Sequence, residues 1–148
     1  MFTSKRYAYS VVVSTGWSMN QAPGEWAPDT QPRVGNPGVD AFSNQTLDQR
    51  ILVVATPVAN GTSLEGWAKN VALITPPQCS TDSSVPSTLG GEQAQLWDIH
   101  CDDGAQVFKV AAVHRGRGYL LAFLSLAKFD IADRNLFASV IRSFLFTG

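Results

Sequence analysis

The sequence predicts an α+β fold, an antiparallel β-sheet of six to seven strands sandwiched between helices in an α/β/α arrangement. Three observations carry that expectation. Strand candidates at 92–101, 105–114 and 118–127 follow one another with only Asp102-Asp103-Gly104 and "RGRG" (115–118) between them, which is hairpin spacing. Several strands are apolar at both parities and need cover on both faces. Two stretches of helical period are the available covers.

Taken in order, "YAYSVVV" (7–13) is aromatic and β-branched and reads as a strand. "QAPGEWAPDTQPRVGNPG" (21–38) is rich in proline and glycine and has no period; a loop of that length in a compact domain is functional or mobile as a rule. Strands follow at 39–44 and 49–58. In the second, Ile51, Val53 and Ala55 face one way and Leu52, Val54 and Val58 the other.

Asn60-Gly61 turns the chain. Thr62 and Glu65 have capping-box spacing, and Leu64, Trp67, Ala68 and Val71 follow at helical period until Pro76-Pro77. Gly66 costs that helix about 1 kcal/mol against alanine. Residues 78–91 read as a polar loop that carries Cys79 and ends in Gly90-Gly91. Asp130 caps a last helix lined by Ile131, Leu136, Phe137, Val140 and Ile141, and 143–146 closes the chain as a short strand.

The 148 residues point to one domain over 1–148, and 45% hydrophobic against 16% charged residues makes it globular. A net charge of −1, from 11 basic and 12 acidic residues, leaves no footprint for nucleic acid and no polybasic attraction to anionic lipid. No apolar run approaches the roughly 18 residues of a membrane span, so no direct membrane insertion of this domain is expected. "MFTSKRYAYSVVV" lacks the long apolar stretch and cleavage site of a signal peptide. Two compartments follow: cytoplasmic, if the chain is complete and its cysteines are free, or extracytoplasmic as part of a longer or anchored protein. The second is the expectation.

"IHCDDG" (99–104) sets the residue types of metal and nucleophile chemistry side by side. A two-residue turn at Asp103-Gly104 puts Asp102 opposite Ala105, Asp98 opposite Lys109 and Trp97 opposite Val110, pairing acid with base and apolar with apolar. A shift by one residue sets Asp98 against Phe108 and Trp97 against Lys109, so the first register is expected. It points His100 and His114 to opposite faces, roughly 26 Å apart at 3.3 Å per residue, too far to share a metal. Neighbours His100 and Cys101 also face opposite ways, which rules out a Cys-His nucleophile.

The two cysteines fall short of a structural zinc set. A Cys79–Cys101 disulfide or two free thiols remain, with the disulfide expected. It would close a loop of about 23 residues, contribute about 3 kcal/mol in the chain-entropy model, and imply an oxidising compartment. Asp102 and Asp103 read as solvent-facing turn residues and not as a calcium loop. Phosphate-binding, dinucleotide and nucleophile-elbow motifs are absent from the sequence, so no cofactor and no metal are expected.

The long loop is the candidate site. It holds Trp26, Asp29 and Arg33, and Trp17 lies just before it. Surface indoles make contact area at low entropy cost and recur in binding hot spots. The alternative is that Trp26 folds back on the core beside Trp17 and pins the loop.

The order Tyr7-x-Tyr9-Ser10-Val11-x-Val13-x-x-Gly16-Trp17, then Gly61-Thr62-Ser63-Leu64-x-x-Trp67-Ala68, Gly91-Glu92-Gln93-Ala94, His114-Arg115-Gly116-Arg117-Gly118-Tyr119 and Phe137-x-x-Val140-Ile141-x-Ser143-Phe144 resembles the PsbP-like superfamily over nearly the whole chain. That group spans extrinsic photosystem, nuclear-transport and actinobacterial exported or membrane-attached domains, the LpqN lipoproteins among them. The resemblance implies an antiparallel sheet between helices, no common catalytic residues, and a role in binding or assembly.

The expected function is therefore a non-enzymatic binding or interaction module, exported or membrane-anchored and bacterial. Its partner is a protein or small molecule the sequence does not identify, and Trp17, Trp26 and Trp67 help form its working surface. A carrier of a small apolar ligand in a sheet–helix pocket is the alternative. A small hydrolase or isomerase built on His100 or His114 with a carboxylate is a third reading, and it needs an ionisable cluster in one concave pocket.

Overall fold

Central strands that are apolar at both parities need two covers, and the computed structural model, which describes residues 1–33, 36–126 and 131–148, has them. In chain order the elements are β1 (Phe2–Ser4), β2 (Tyr9–Val11), β3 (Ser18–Asn20), β4 (Asp40–Ser43), β5 (Gln49–Pro57), α1 (Leu64–Leu73), β6 (Cys79–Leu89), β7 (Glu92–Cys101), β8 (Gln106–His114), β9 (Arg117–Ser125), α2 (Ile131–Ser143) and β10 (Leu145–Phe146). The main sheet has seven strands in the order β3-β4-β5-β9-β8-β7-β6, all neighbours antiparallel. β1, β2 and β10 form a small second sheet.

The fold is α+β, and alternate residues of the central strands feed two separate cores. Ile51 and Val53 of β5, Phe108 and Val110 of β8, and Leu121 and Phe123 of β9 pack with Phe137 and Val140 of α2 and with the small sheet. Leu52, Val54, Val107, Ala111, Leu120 and Ala122 pack instead with Trp67 and Val71 of α1 and with Trp26. The Trp67 indole lies against Gly118, where an added Cβ would come within 2.5 Å of the ring, and its Nε1 donates to the Tyr119 carbonyl at 2.9 Å.

The hairpin register is the main correction. Only Gly104 (φ 87°) takes a positive φ in the β7–β8 turn, whereas a two-residue turn at 103–104 would need one at Asp103 as well. Gly104 N–H donates to the Cys101 carbonyl at 2.9 Å, and Cys101 N–H to that of Ala105 at 2.9 Å. The loop is thus three residues long, a type I turn closed by a left-handed glycine. Asp98 is set opposite Phe108 and Trp97 opposite Lys109, the register that charge pairing had rejected. His100 and His114 consequently share a face, though eight residue steps still separate them along β8, roughly 26 Å. At the β8–β9 turn a hairpin forms as expected, with Arg115 (φ 47°) and Gly116 (φ 76°) as its two loop residues.

The stretch expected as a polar loop, 78–91, is mostly strand β6. It is an edge strand, paired only with β7 and exposed along most of its length, so no apolar alternation marks it. Pro86 is tolerated there because an edge strand has one unpaired side. Cys79 and Cys101 face each other at its open end and are disulfide-bonded, with Cα atoms 3.9 Å apart.

Smaller corrections are local. The strand expected at 7–13 is only β2, because Ala8 (φ 54°) breaks it. Ser63, not Thr62, caps α1 and accepts from Gly66 N–H at 3.1 Å. Thr62 donates instead to the Ala59 carbonyl at 2.6 Å, so there is no capping box with Glu65. Ile131 is 76% exposed and does not line the buried face of α2. In the terminal stretch 143–146, Ser143 ends α2 and only Leu145–Phe146 is strand. The Asp130 cap and residue 127 of the expected 118–127 strand lie outside the described residues, as do positions 34 and 35 of the long loop.

Gly118→Ala tests the Trp67 contact. The ring cannot retreat without leaving its core and its hydrogen bond, so the substitution is expected to cost about 1–3 kcal/mol, as overpacked cores do. Urea denaturation would measure it, and an unchanged midpoint would show that Trp67 has room to move.

Candidate functional site

On the α1 side of the sheet the packing is incomplete. A cavity of about 370 Å³ lies between the strands, the long loop and the segment that follows α1. Leu52, Ile99, Val107 and Leu124 give it an apolar floor, and the Cys79–Cys101 disulfide forms part of its wall. Gln31, Pro32 and Arg33 reach it from the loop, and Thr75, Pro76 and Gln78 from beyond α1.

The long loop holds its place because its base is tied down. Asp40, fully buried, accepts from Ala22 N–H at 2.7 Å and from the Tyr9 hydroxyl at 2.9 Å. The Tyr7 hydroxyl donates to the Gly38 carbonyl, and the Tyr119 hydroxyl to the Tyr7 carbonyl at 2.5 Å. Gly38 (φ 85°) passes so close to Trp26 that a Cβ would fall 2.1 Å from its backbone nitrogen. Burial, reinforced by the Asp40 charge, raises the Tyr7 phenol to about 12 and holds Tyr9 well above its ordinary value.

Two cations line the cavity on its sheet side. Lys109 is 1% exposed, and its Nζ donates to Gln31 Oε1 at 3.3 Å. Among the described residues no carboxylate forms an ion pair with it. Desolvation alone pulls its ammonium down to about 8. Arg50 projects from β5 into the same space, and its Nε is buried with no hydrogen-bond partner among the described residues. Asp103 and the exposed Arg33 complete the charged lining.

The structure scatters the residues expected to form a site. Trp26 is 4% exposed and packs edge-to-face on Trp67, with ring centroids 6.3 Å apart. This corrects the expectation of a surface indole. Trp26 folds back on the core, as the alternative had it, but against Trp67 and not beside Trp17, which is half-buried against the opposite core. Asp29 is exposed beside a shallow depression lined by Thr56, Thr62 and Asn70. Of the loop residues singled out, only Arg33 reaches the cavity, together with the two cysteines. Lys109, Arg50 and Gln31 were not anticipated. Lys109 is the lone charge in the run "AQVFKVAAV" (105–113), but the rejected register had matched it to Asp98.

Each histidine meets an acid, but neither lines this cavity. His114 Nδ1 lies 2.8 Å from Glu92 Oε1 and Nε2 2.8 Å from the Gly148 carbonyl, while the ring stacks on Phe146 at 4.0 Å. Both nitrogens are thereby occupied. His100 Nδ1 lies 2.7 Å from Asp82 Oδ1 with a side chain 52% exposed, so that pair is out in solvent. Among the described residues no group of three or more His, Cys, Asp or Glu gathers to hold a metal.

No family model matches the sequence, and no curated protein is significantly similar to it. Solved structures do match. Cyanobacterial PsbP (CyanoP) from Synechocystis superposes with a TM-score of 0.65 at 17% identity, over 98% of this chain and 90% of that one. LpqN of Mycobacterium tuberculosis, described as involved in cell envelope biogenesis, superposes with a TM-score of 0.58 at 11% identity, over 95% and 83%. A Bacteroides thetaiotaomicron protein matches at 0.63 and 11%, over 99% of this chain but only 48% of its own. The fold is PsbP-like, and at these identities the likeness is one of fold.

Lys109 links the cavity to stability. The folded protein holds this amine with a pKa of about 8, below its ordinary 10.5. Below pH 8 the charged amine therefore carries a burial cost of about 3 kcal/mol, relieved as pH rises toward 10. Lys109→Met is expected to be about 3 kcal/mol more stable at pH 7, with the advantage shrinking through pH 8–10. Tyr7 titrates higher, in both proteins, and cancels in the difference. Urea melts of both proteins across that range would show it, and a constant difference would contradict it. Trp26→Ala should cost about 3–5 kcal/mol, as truncating a buried aromatic does; a loss below 1 kcal/mol would return Trp26 to the surface.

Proposed function

We propose that this chain is a non-enzymatic binding module that carries a small ligand with an apolar body in the cavity beneath the long loop. One observation carries the reading: a cavity of about 370 Å³ opens over an apolar floor of Leu52, Ile99, Val107 and Leu124. Small-molecule sites occupy roughly 300–1,000 Å³, mostly apolar with a few placed polar groups, and this cavity fits that description. The buried Trp26 favours the carrier over a contact surface made by the loop's indoles.

We place the module outside the cytoplasm, as part of an exported or anchored bacterial protein. The Cys79–Cys101 bond supports an oxidising compartment. The likeness to LpqN, described as involved in cell envelope biogenesis, is in keeping with it by analogy of fold.

The test is to fill the cavity. Wild-type protein should bind 1-decanol by isothermal titration calorimetry, with the negative heat-capacity change of apolar burial. Val107→Trp, which puts an indole into the space, should abolish that binding while the circular dichroism spectrum stays native. Leu124→Trp provides a second filling from the neighbouring strand should the first fail to fold. Equal binding by a folded filled variant would overturn the reading, as would a wild type that binds no decyl ligand, charged or neutral.

A further inference from the structure

We propose that the cavity selects ligands whose apolar body ends in a single carboxylate, and that Lys109 and Arg50 hold this head group. The inference rests on the reading of the cavity as a ligand site and adds the chemistry of the ligand.

A buried ammonium has three N–H donors. Among the described residues Gln31 Oε1 satisfies one of those on Lys109, at 3.3 Å. The Nε–H of Arg50 is buried and has no acceptor among the described residues. Unmade hydrogen bonds of buried charged groups are costly, and a carboxylate, with about four acceptor sites and a compensating charge, answers both.

The sheet brings the two cations within reach of one such head. Arg50 and Val107 both pair with Leu124 of β9, so Arg50 stands level with Val107, two residues along β8 from Lys109. Two strand spacings and one two-residue step put their Cα atoms about 12 Å apart. Both side chains enter the same cavity, and side chains of that length can converge across it. Among the described residues Asp103 is the single carboxylate in the lining and Arg33 a further cation, so these lining residues keep a positive balance with Asp103 counted.

The volume bounds the rest of the ligand. At roughly 30 Å³ per heavy atom, the share a water takes in the liquid, about a dozen heavy atoms fill the cavity. Decanoate has that size. A head of one carboxylate also leaves the apolar floor at Ile99 and Leu52 for the chain.

The experiment compares decanoate, 1-decanol and decyl phosphate on the intact, oxidised protein at pH 7 by calorimetry. Decanoate is expected to bind at least tenfold more tightly than decanol. Lys109→Met should erase that preference by weakening decanoate tenfold or more while decanol binding stays within twofold, and Arg50→Met should weaken decanoate alone to a similar extent. Equal affinity for decanoate and decanol would refute the head-group proposal and leave the carrier standing. Tighter binding of decyl phosphate than of decanoate would refute it as well, by assigning the head to phosphate. Failure of all three to bind would remove the carrier reading itself.

Discussion

The β7–β8 turn decides what the α1 side of this sheet is made of. Because strand side chains alternate, a register change of one residue exchanges the two faces of a strand relative to its partner. Gly104 accepts the left-handed conformation and Asp103 does not adopt it, so the turn takes three residues and not two. That one residue takes Lys109 from a place opposite Asp98 to one opposite Trp97, where its side chain is buried. Cys101 pairs with Ala105 at the end of the ladder and meets Cys79 from β6. The cavity, its buried amine and its disulfide wall all follow from the same turn.

The fold was legible wherever hydrophobic pattern determines it. Ile51 and Leu52, or Leu120 and Leu121, are both buried, and their alternation places a strand between two covers without further information. The edges were not legible. β6 lies in solvent on most of its length, so nothing selects for apolar alternation there, and its serines and threonines look like a loop. Its only local signal was Gly90-Gly91 leading straight into β7.

The candidate site was harder to read, because register depends on turn geometry and the pairing preferences it competes with are weak. Opposite charges across a strand pair contribute only about 0.2–1 kcal/mol, too little to overrule the backbone of a tight turn. Matching Asp98 to Lys109 therefore hid the residue that most distinguishes the cavity. Trp26 misled in the other direction. An aromatic in a proline-rich loop looks like an exposed anchor, but this loop is clasped at its base by Asp40, Tyr7 and Tyr9, and its indole belongs to the core. The same clasp is what holds Gln31, Pro32 and Arg33 over the open space.

A ligand held in the cavity as proposed would also make occupancy a term in the protein's lifetime. By mass action, a ligand present at a hundred times its dissociation constant adds about 2.7 kcal/mol to the free energy of unfolding. That nearly equals the roughly 3 kcal/mol that Lys109's burial takes away at neutral pH. The empty chain would then visit its unfolded state on the order of a hundred times more often than the filled one, and proteolysis of transiently open states follows that population. If the cavity holds a ligand as proposed, filled copies would outlast empty ones wherever proteases patrol, and the pool of protein would track the supply of ligand.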